Sequence, residues 1–244
     1  MRNGFVAPEE EAAELRAAGG DLDALVARRL TGEPLAWITG TVEFCGRTIL
    51  VQPGVYVPRW HTESVAWRAV ARMPRGGTGI DLCTGSGAIA RSVVDEVPGA
   101  LVHAVELDEA ACAWAERNLA GTGVDLRHGD LATAFEDLDG TVDVVTCNPP
   151  YIPLEAWESV APEARDHDPH LALFSGVDGL DAIRVLERRA AVLLRPGGVV
   201  GFEHADAQGE SAPAVLSATG RWTDVRDHAD LAGRPRFTTA RLAR

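Results

Sequence analysis

Asp81-Leu82-Cys83-Thr84-Gly85-Ser86-Gly87-Ala88-Ile89-Ala90 is the stretch on which the fold turns. It starts as an apolar strand pattern and passes through two glycines into a helical pattern that runs on to Val97. Glycine permits the tight turn, and a helix that starts there presents backbone N–H groups to a ligand carboxylate. Working outward, the alternation repeats. Residues 101–107 (LVHAVEL) are strand-like, and residues 109–120 (EAACAWAERNLA) carry apolar positions at helical spacing. Short strands follow at 124–130 and 142–147, then a helix over 180–194 and a strand over 199–205. A helix near Ala212–Ala218 and weaker strands near Trp222–Arg226 and Phe237–Leu242 complete the pattern. Repeated βα units predict a parallel sheet with helices on both faces.

On the amino-terminal side, Pro8–Leu30 predicts one or two short helices, broken at Gly19-Gly20 and restarted by Asp21 as an N-cap. Trp37–Val57 predicts a hairpin of short strands separated by Gly46, and a helical pattern follows Pro58 as far as Arg72. Residues 73–79 (MPRGGTG) form a loop-like boundary. The expected organisation is a helical segment over 1–35, a hairpin with linker helix over 36–74, and the alternating domain over 75–244.

A chain of 244 residues with 46% hydrophobic composition can bury one sizeable core. Its formal charge of −13, with no Lys/Arg run, argues against a stable grip on a nucleic-acid backbone. The four cysteines lack metal-ligand or redox spacing; Cys83 and Cys147 sit in apolar runs as small buried thiols. The first residues, MRNGFVAPEEEAAEL, hold no apolar leader core, and no run approaches the roughly 20 apolar residues of a membrane span. A cytoplasmic setting without a membrane partner is expected.

Three strand ends converge on one ligand. The second strand ends at Glu106, 21 positions after Gly85, where a carboxylate can accept hydrogen bonds from two ribose hydroxyls. The third ends at Asp130, suitably placed for an adenine amino group. Gly85, Gly87 and Ala90 also fit the dinucleotide fingerprint. Asp81 inside the motif, an acid suited to the ammonium of S-adenosylmethionine, and the end of the fourth strand favour that cofactor instead.

At that fourth end stands Asn148-Pro149-Pro150-Tyr151. Open α/β sheets bind ligands beyond the carboxyl ends of their strands, so the tetrad is expected beside the cofactor. An amide nitrogen is a poor nucleophile because its lone pair is delocalised. Two coplanar acceptors, the Asn148 side-chain oxygen and the Pro149 carbonyl, can take both hydrogens of a target NH2 and compensate charge developing on it. The prolines stiffen the loop, and the Tyr151 ring can pack against a flat target. A Pro-Pro pair by itself is a strand-ending turn; consistency with the three other strand ends gives it a chemical role.

These motifs resemble the bacterial release-factor glutamine methyltransferases, a protein-(glutamine-N5) methyltransferase family. The likeness runs from about Leu22 to the carboxyl terminus, through DLCTGSGAIA, NPPYIP, HDPHLALFSGVDGLD and EHADAQGE. The resemblance implies a class I S-adenosylmethionine-dependent fold, Rossmann-like, with a seven-stranded mostly parallel sheet and a small N-terminal helix/β-hairpin element. It implies cofactor contacts from Asp81, Cys83, Thr84, Gly85, Ser86, Gly87, Glu106, Asp130, Leu131 and Asn148, and a glutamine pocket at Asn148, Pro149, Pro150 and Tyr151. Pro58, Arg59 and Glu63 would line the substrate side. The implied partner is a protein bearing the target glutamine, with a peptide chain release factor as leading candidate.

The sequence departs from the family's pattern in three places. PRPxTE becomes Pro58-Arg59-Trp60-His61-Thr62-Glu63; Leu131 stands where a Trp often occurs; and the N-terminal helical part is short, as in a related subgroup of unassigned substrate. N6-adenine methylation of DNA or RNA and methylation of a small-molecule amide or amine are the alternatives.

Four further positions have competing interpretations. His167-Asp168-Pro169-His170 is expected as a surface loop and not a metal site. His204, beside Glu203, is either a cleft acid/base or a plain strand-end histidine. Trp114 is expected in the core. Arg59 either reaches a ligand or pairs with Glu63.

Overall fold

The computed structural model describes residues 7–243. The first six residues, on which the expectation of no leader partly rests, lie outside the described residues, as does Arg244. The chain opens with helices α1 (Pro8–Ala18), α2 (Leu22–Leu30) and α3 (Leu35–Thr39), then the hairpin β1 (Thr41–Phe44) and β2 (Arg47–Leu50). Asp21 caps α2 as expected, accepting from the Asp23 and Ala24 N–H groups at 3.1 and 3.3 Å.

The main sheet comes next: α4 (Glu63–Arg72), β3 (Thr78–Leu82), α5 (Ala88–Glu96), β4 (Leu101–Glu106), α6 (Glu109–Leu119), β5 (Asp125–His128) and β6 (Val142–Cys147). After α7 (Pro162–His167) and α8 (His170–Leu173) it continues with α9 (Asp181–Leu193), β7 (Leu194–Glu203), α10 (Ser211–Ser217), β8 (Trp222–Ala229) and β9 (Pro235–Leu242). The seven strands lie in the order β5-β4-β3-β6-β7-β9-β8. The first five are parallel and β9 and β8 antiparallel. The strand order reverses beside β3, so the carboxyl ends of β3, β4 and β6 open on one crevice.

Two apolar layers sandwich the sheet. One joins α4, α5 and α6 to the hairpin through Phe44, Ile49, Ala88 and Val93; the other packs α9 and α10 through Ile183, Leu186, Leu193 and Leu216. The hairpin is therefore packed into the same apolar layer as α4, α5 and α6. Its dock is also polar: the buried Asn118 accepts the Leu50 N–H at 2.9 Å and donates to the Leu50 carbonyl at 2.9 Å and the Ser86 carbonyl at 2.8 Å.

Several expectations are corrected. Trp37–Thr39 is helical: Pro34 starts the turn, the Trp37 indole donates to the Val55 carbonyl at 2.9 Å, and Gly40 in the left-handed region delays the strand to Thr41. Trp114 is half-buried, its ring 4.4 Å from the Arg117 guanidinium, and not in the core. The His167–His170 stretch spans α7 and α8, and Asp168 is buried between them. Cys147 is buried, whereas Cys83 is half-exposed.

Candidate active site

The crevice holds a cavity of about 500 Å³. At one end, Cys83, Gly85 and Gly87 all adopt left-handed φ (58°, 56° and 84°), which folds the chain back tightly from β3 into α5. This turn is tied to β4: the Thr84 N–H donates to the Val105 carbonyl at 2.9 Å and the Gly85 N–H to Glu106 Oε2 at 2.7 Å. The other Glu106 oxygen accepts from the Asp108 N–H at 2.9 Å. Burial raises the Glu106 carboxyl above its usual range, opposed by those N–H donors.

Of the residues expected to contact the cofactor, Cys83, Thr84, Gly85, Ser86, Glu106, Asp130, Leu131 and Asn148 line the cavity. Asp81 and Gly87 do not. Asp81 lies buried behind the turn, accepting from the hydroxyls of Thr84 (2.6 Å) and Thr146 (2.8 Å), and burial pushes its carboxyl up to about 7. Its part is to brace the turn. Gly87 instead packs against α6, where an added Cβ would sit 3.1 Å from Leu119 Cγ. The residues present fit S-adenosylmethionine: a nucleoside-sized hollow, acids at two strand tips, a helix N-terminus, and the buried Ser86 hydroxyl without a protein partner.

Beside this turn, beyond the neighbouring strand β6, the cavity is walled by Asn148, Pro150 and Tyr151. Pro149 is buried and contributes no wall, so of the two expected acceptors Asn148 is the one that lines the cavity. The tetrad is held from behind. The Tyr151 N–H donates to the Leu173 carbonyl at 3.2 Å, and the Gln208 amide donates to the Tyr151 carbonyl at 2.9 Å. Gly179 approaches that carbonyl so closely that a Cβ would overlap it. The Tyr151 hydroxyl donates to Glu203 at 2.9 Å.

Pro58 and Arg59 line the cavity, and Glu63 does not. Arg59 does not pair with Glu63. Its guanidinium donates to Asp168 Oδ2 at 2.6 Å, stands 3.6 Å from Glu163 and lies 5.4 Å from the Tyr56 ring centre. Burial pushes the Asp168 carboxyl up to about 6 against the pull of Arg59. Glu63 instead accepts the Cys45 N–H at 2.8 Å, fastening α4 to the hairpin turn. His204 is fully buried, 3.1 Å from Asp227, and lines no part of the cavity. Tyr56, His61 and Asp168 do line it and were not singled out as site residues by sequence. Their signal in the sequence is weak because each sits in a short segment whose course depends on the tertiary fold.

This sheet order, a glycine turn facing acids on two strand tips, and Asn-Pro-Pro-Tyr beyond the fourth strand together define a class I S-adenosylmethionine-dependent methyltransferase. Residues 49–161 match the family model described as the methyltransferase small domain. The release factor glutamine methyltransferase of Streptomyces coelicolor is 57% identical over 223 residues, 90% of this chain and 79% of that protein. The 4-amino-L-phenylalanine/4-methylamino-L-phenylalanine methyltransferase of Streptomyces pristinaespiralis is 45% identical over 225 residues, 84% of this chain and 77% of that protein. The solved ribosomal protein L11 methylase of Lactobacillus delbrueckii subsp. bulgaricus shares the fold at 20% identity, with a TM-score of 0.55 over 80% of this chain and 84% of that one. The chain belongs to the release factor glutamine methyltransferase family.

Proposed function

We propose that this enzyme methylates the side-chain amide nitrogen of a glutamine in a protein substrate, a release factor's Gly-Gly-Gln loop being the leading candidate. The observation that carries this reading is Asn148 on the cavity wall with Tyr151, at the strand end next to the glycine turn. S-adenosylmethionine supplies the electrophilic methyl group. The Asn148 side-chain oxygen accepts a hydrogen of the target NH2 and sets the nitrogen's direction of approach. That oxygen also compensates the positive charge that appears on nitrogen as the N–C bond forms and the S–CH3 bond breaks to leave S-adenosylhomocysteine, and the surplus proton then passes to water. Tyr151 gives the planar carboxamide a flat wall. Cys83, Thr84, Gly85, Ser86, Glu106, Asp130 and Leu131 hold the cofactor, with Asp81 and Gly87 bracing their turn from behind.

The partner is then a cytoplasmic protein. A charge of −13 disfavours nucleic acid, and no helix among the described residues is long and apolar enough to cross a membrane. A second reading, an aromatic amine on a small molecule, is favoured by the 45% identical relative named for 4-amino-L-phenylalanine. The test offers labelled cofactor in parallel to a release factor, to 4-amino-L-phenylalanine and to nucleic acid. Label on the release-factor glutamine supports the first reading. Label only on the free amine, or only on nucleic acid, overturns it.

A further inference from the structure

Behind the acceptor wall lies a carboxylate that the proposed chemistry does not use. Glu203, the last residue of β7, is fully buried and lines no part of the cavity. Burying a carboxylate costs free energy unless donors satisfy it. Glu203 has them from both walls of the acceptor end. The Tyr151 hydroxyl donates to Oε1 at 2.9 Å and the Thr62 hydroxyl donates to Oε2 at 2.6 Å; the His61 Nε2, 3.3 Å from Oε1, makes no hydrogen bond to it. Tyr151 belongs to the loop after β6, and His61 and Thr62 to the segment before α4, so one carboxylate fastens two separate stretches that both line the cavity.

We propose that Glu203 is a positioning residue for methyl transfer, holding the Tyr151 ring in the plane against which the flat acceptor packs. A phenol left without this partner can swing about its side-chain bonds, and its ring then no longer presents one fixed face. Charge-assisted hydrogen bonds are the shorter and stronger kind, which suits a carboxylate to the task. In the same environment, burial and the neighbouring Glu203 charge raise the Tyr151 hydroxyl well above its ordinary value, so it remains a donor throughout the neutral range. Misplacing a reacting partner by about 1 Å can cost on the order of a hundredfold in rate. The inference rests on the acceptor-pocket reading, but its test does not need the acceptor to be known.

The chain has two tyrosines, Tyr56 and Tyr151, so protein labelled with 3-fluorotyrosine gives two fluorine resonances, and Tyr151→Phe identifies one of them. In Glu203→Leu the Tyr151 resonance is expected to shift and narrow, and to move more than that of Tyr56, which senses the Glu203 charge but makes no hydrogen bond to it. In Glu203→Gln, which keeps an acceptor, it is expected to move less. An unchanged Tyr151 resonance in Glu203→Leu overturns the proposal. With a release factor as acceptor, Glu203→Leu should lower kcat about a hundredfold with cofactor affinity kept, and Glu203→Gln should restore most of it. Adding Glu203→Leu to Tyr151→Phe should cost little more. Fully multiplying losses, or a Tyr151→Phe enzyme with unimpaired kcat, would show that Glu203 does not act through Tyr151. Wild-type enzyme that leaves the release factor unmethylated defeats the glutamine reading alone, because the resonance test still stands.

Discussion

Asn148 and Gly179 carry the sharpest expectations at the scale of single residues. Asn148→Ala removes the acceptor that lines the cavity; transfer should fall below detection while S-adenosylhomocysteine binding by calorimetry stays within a few-fold. Transfer that survives within a few-fold would refute the proposed role. Gly179 acts from behind: its φ of 75° suits glycine, and a Cβ there would overlap the Tyr151 carbonyl and approach the Gln208 amide to 2.8 Å. Gly179→Ala should therefore displace the Asn148–Tyr151 loop and lower kcat at least tenfold. A kcat equal to that of wild type would show that the loop does not depend on this close approach. Asn148 stood out in the sequence because it lies in a short motif at a strand end. Gly179 did not, because the carbonyl it must clear lies 28 positions away along the chain.

Between elements, the junctions of hairpin, turn and sheet matter most. Asn118 on α6 holds both backbone groups of Leu50 and the carbonyl of Ser86, so one side chain joins the hairpin to the cofactor turn. Asn118→Ala leaves these groups unpaired and should cost about 2–3 kcal/mol in urea denaturation, with weaker cofactor binding. Stability within 0.5 kcal/mol, on the order of an unremarkable surface change, would show the dock to be apolar alone. Asp81 braces the same turn and should leave a pH signature. Burial raises its folded value to about 7 from 3.8, against the hydroxyls of Thr84 and Thr146 and the Ala90 N–H, with Glu106 adding to the rise. A raised carboxyl favours the protonated form in the folded state. Its contribution is therefore fully present below about pH 4 and is lost as pH rises through about 7. Thermal midpoints of wild type minus Asp81→Asn should fall across that window; a flat difference would refute the assignment.

For the whole molecule, the cavity is assembled from the turn after β3, the end of β4, the loops after β5 and β6 and the segment between β2 and α4. A ligand that spans such a crevice binds the folded chain and not the unfolded one. S-adenosylhomocysteine at about 100 times its Kd should add roughly 2.7 kcal/mol of stability. The Gly87→Ala variant, strained in φ and pressed on Leu119, should keep only part of that gain, as read from ligand-dependent shifts in Tm. An equal gain in both proteins would separate the turn from cofactor binding.

The sequence by itself determined the alternating sheet, the glycine turn after β3 and the Asn-Pro-Pro-Tyr stretch after β6, because each is local: hydrophobic period, glycine placement and strand-end residues act within a few positions of one another. The tertiary structure alone decided which of those residues face the cavity. Asp81, Gly87, Pro149 and Glu63 belong to the right motifs yet face away from it, and Tyr56, His61 and Asp168 enter it from elsewhere. It also decided that Arg59 meets Asp168, 109 positions away, and that Glu203 clamps Tyr151 from 52 positions away. The physical reason is that a buried charge takes whichever partner packing brings within hydrogen-bond reach, and no spacing along the chain encodes that choice.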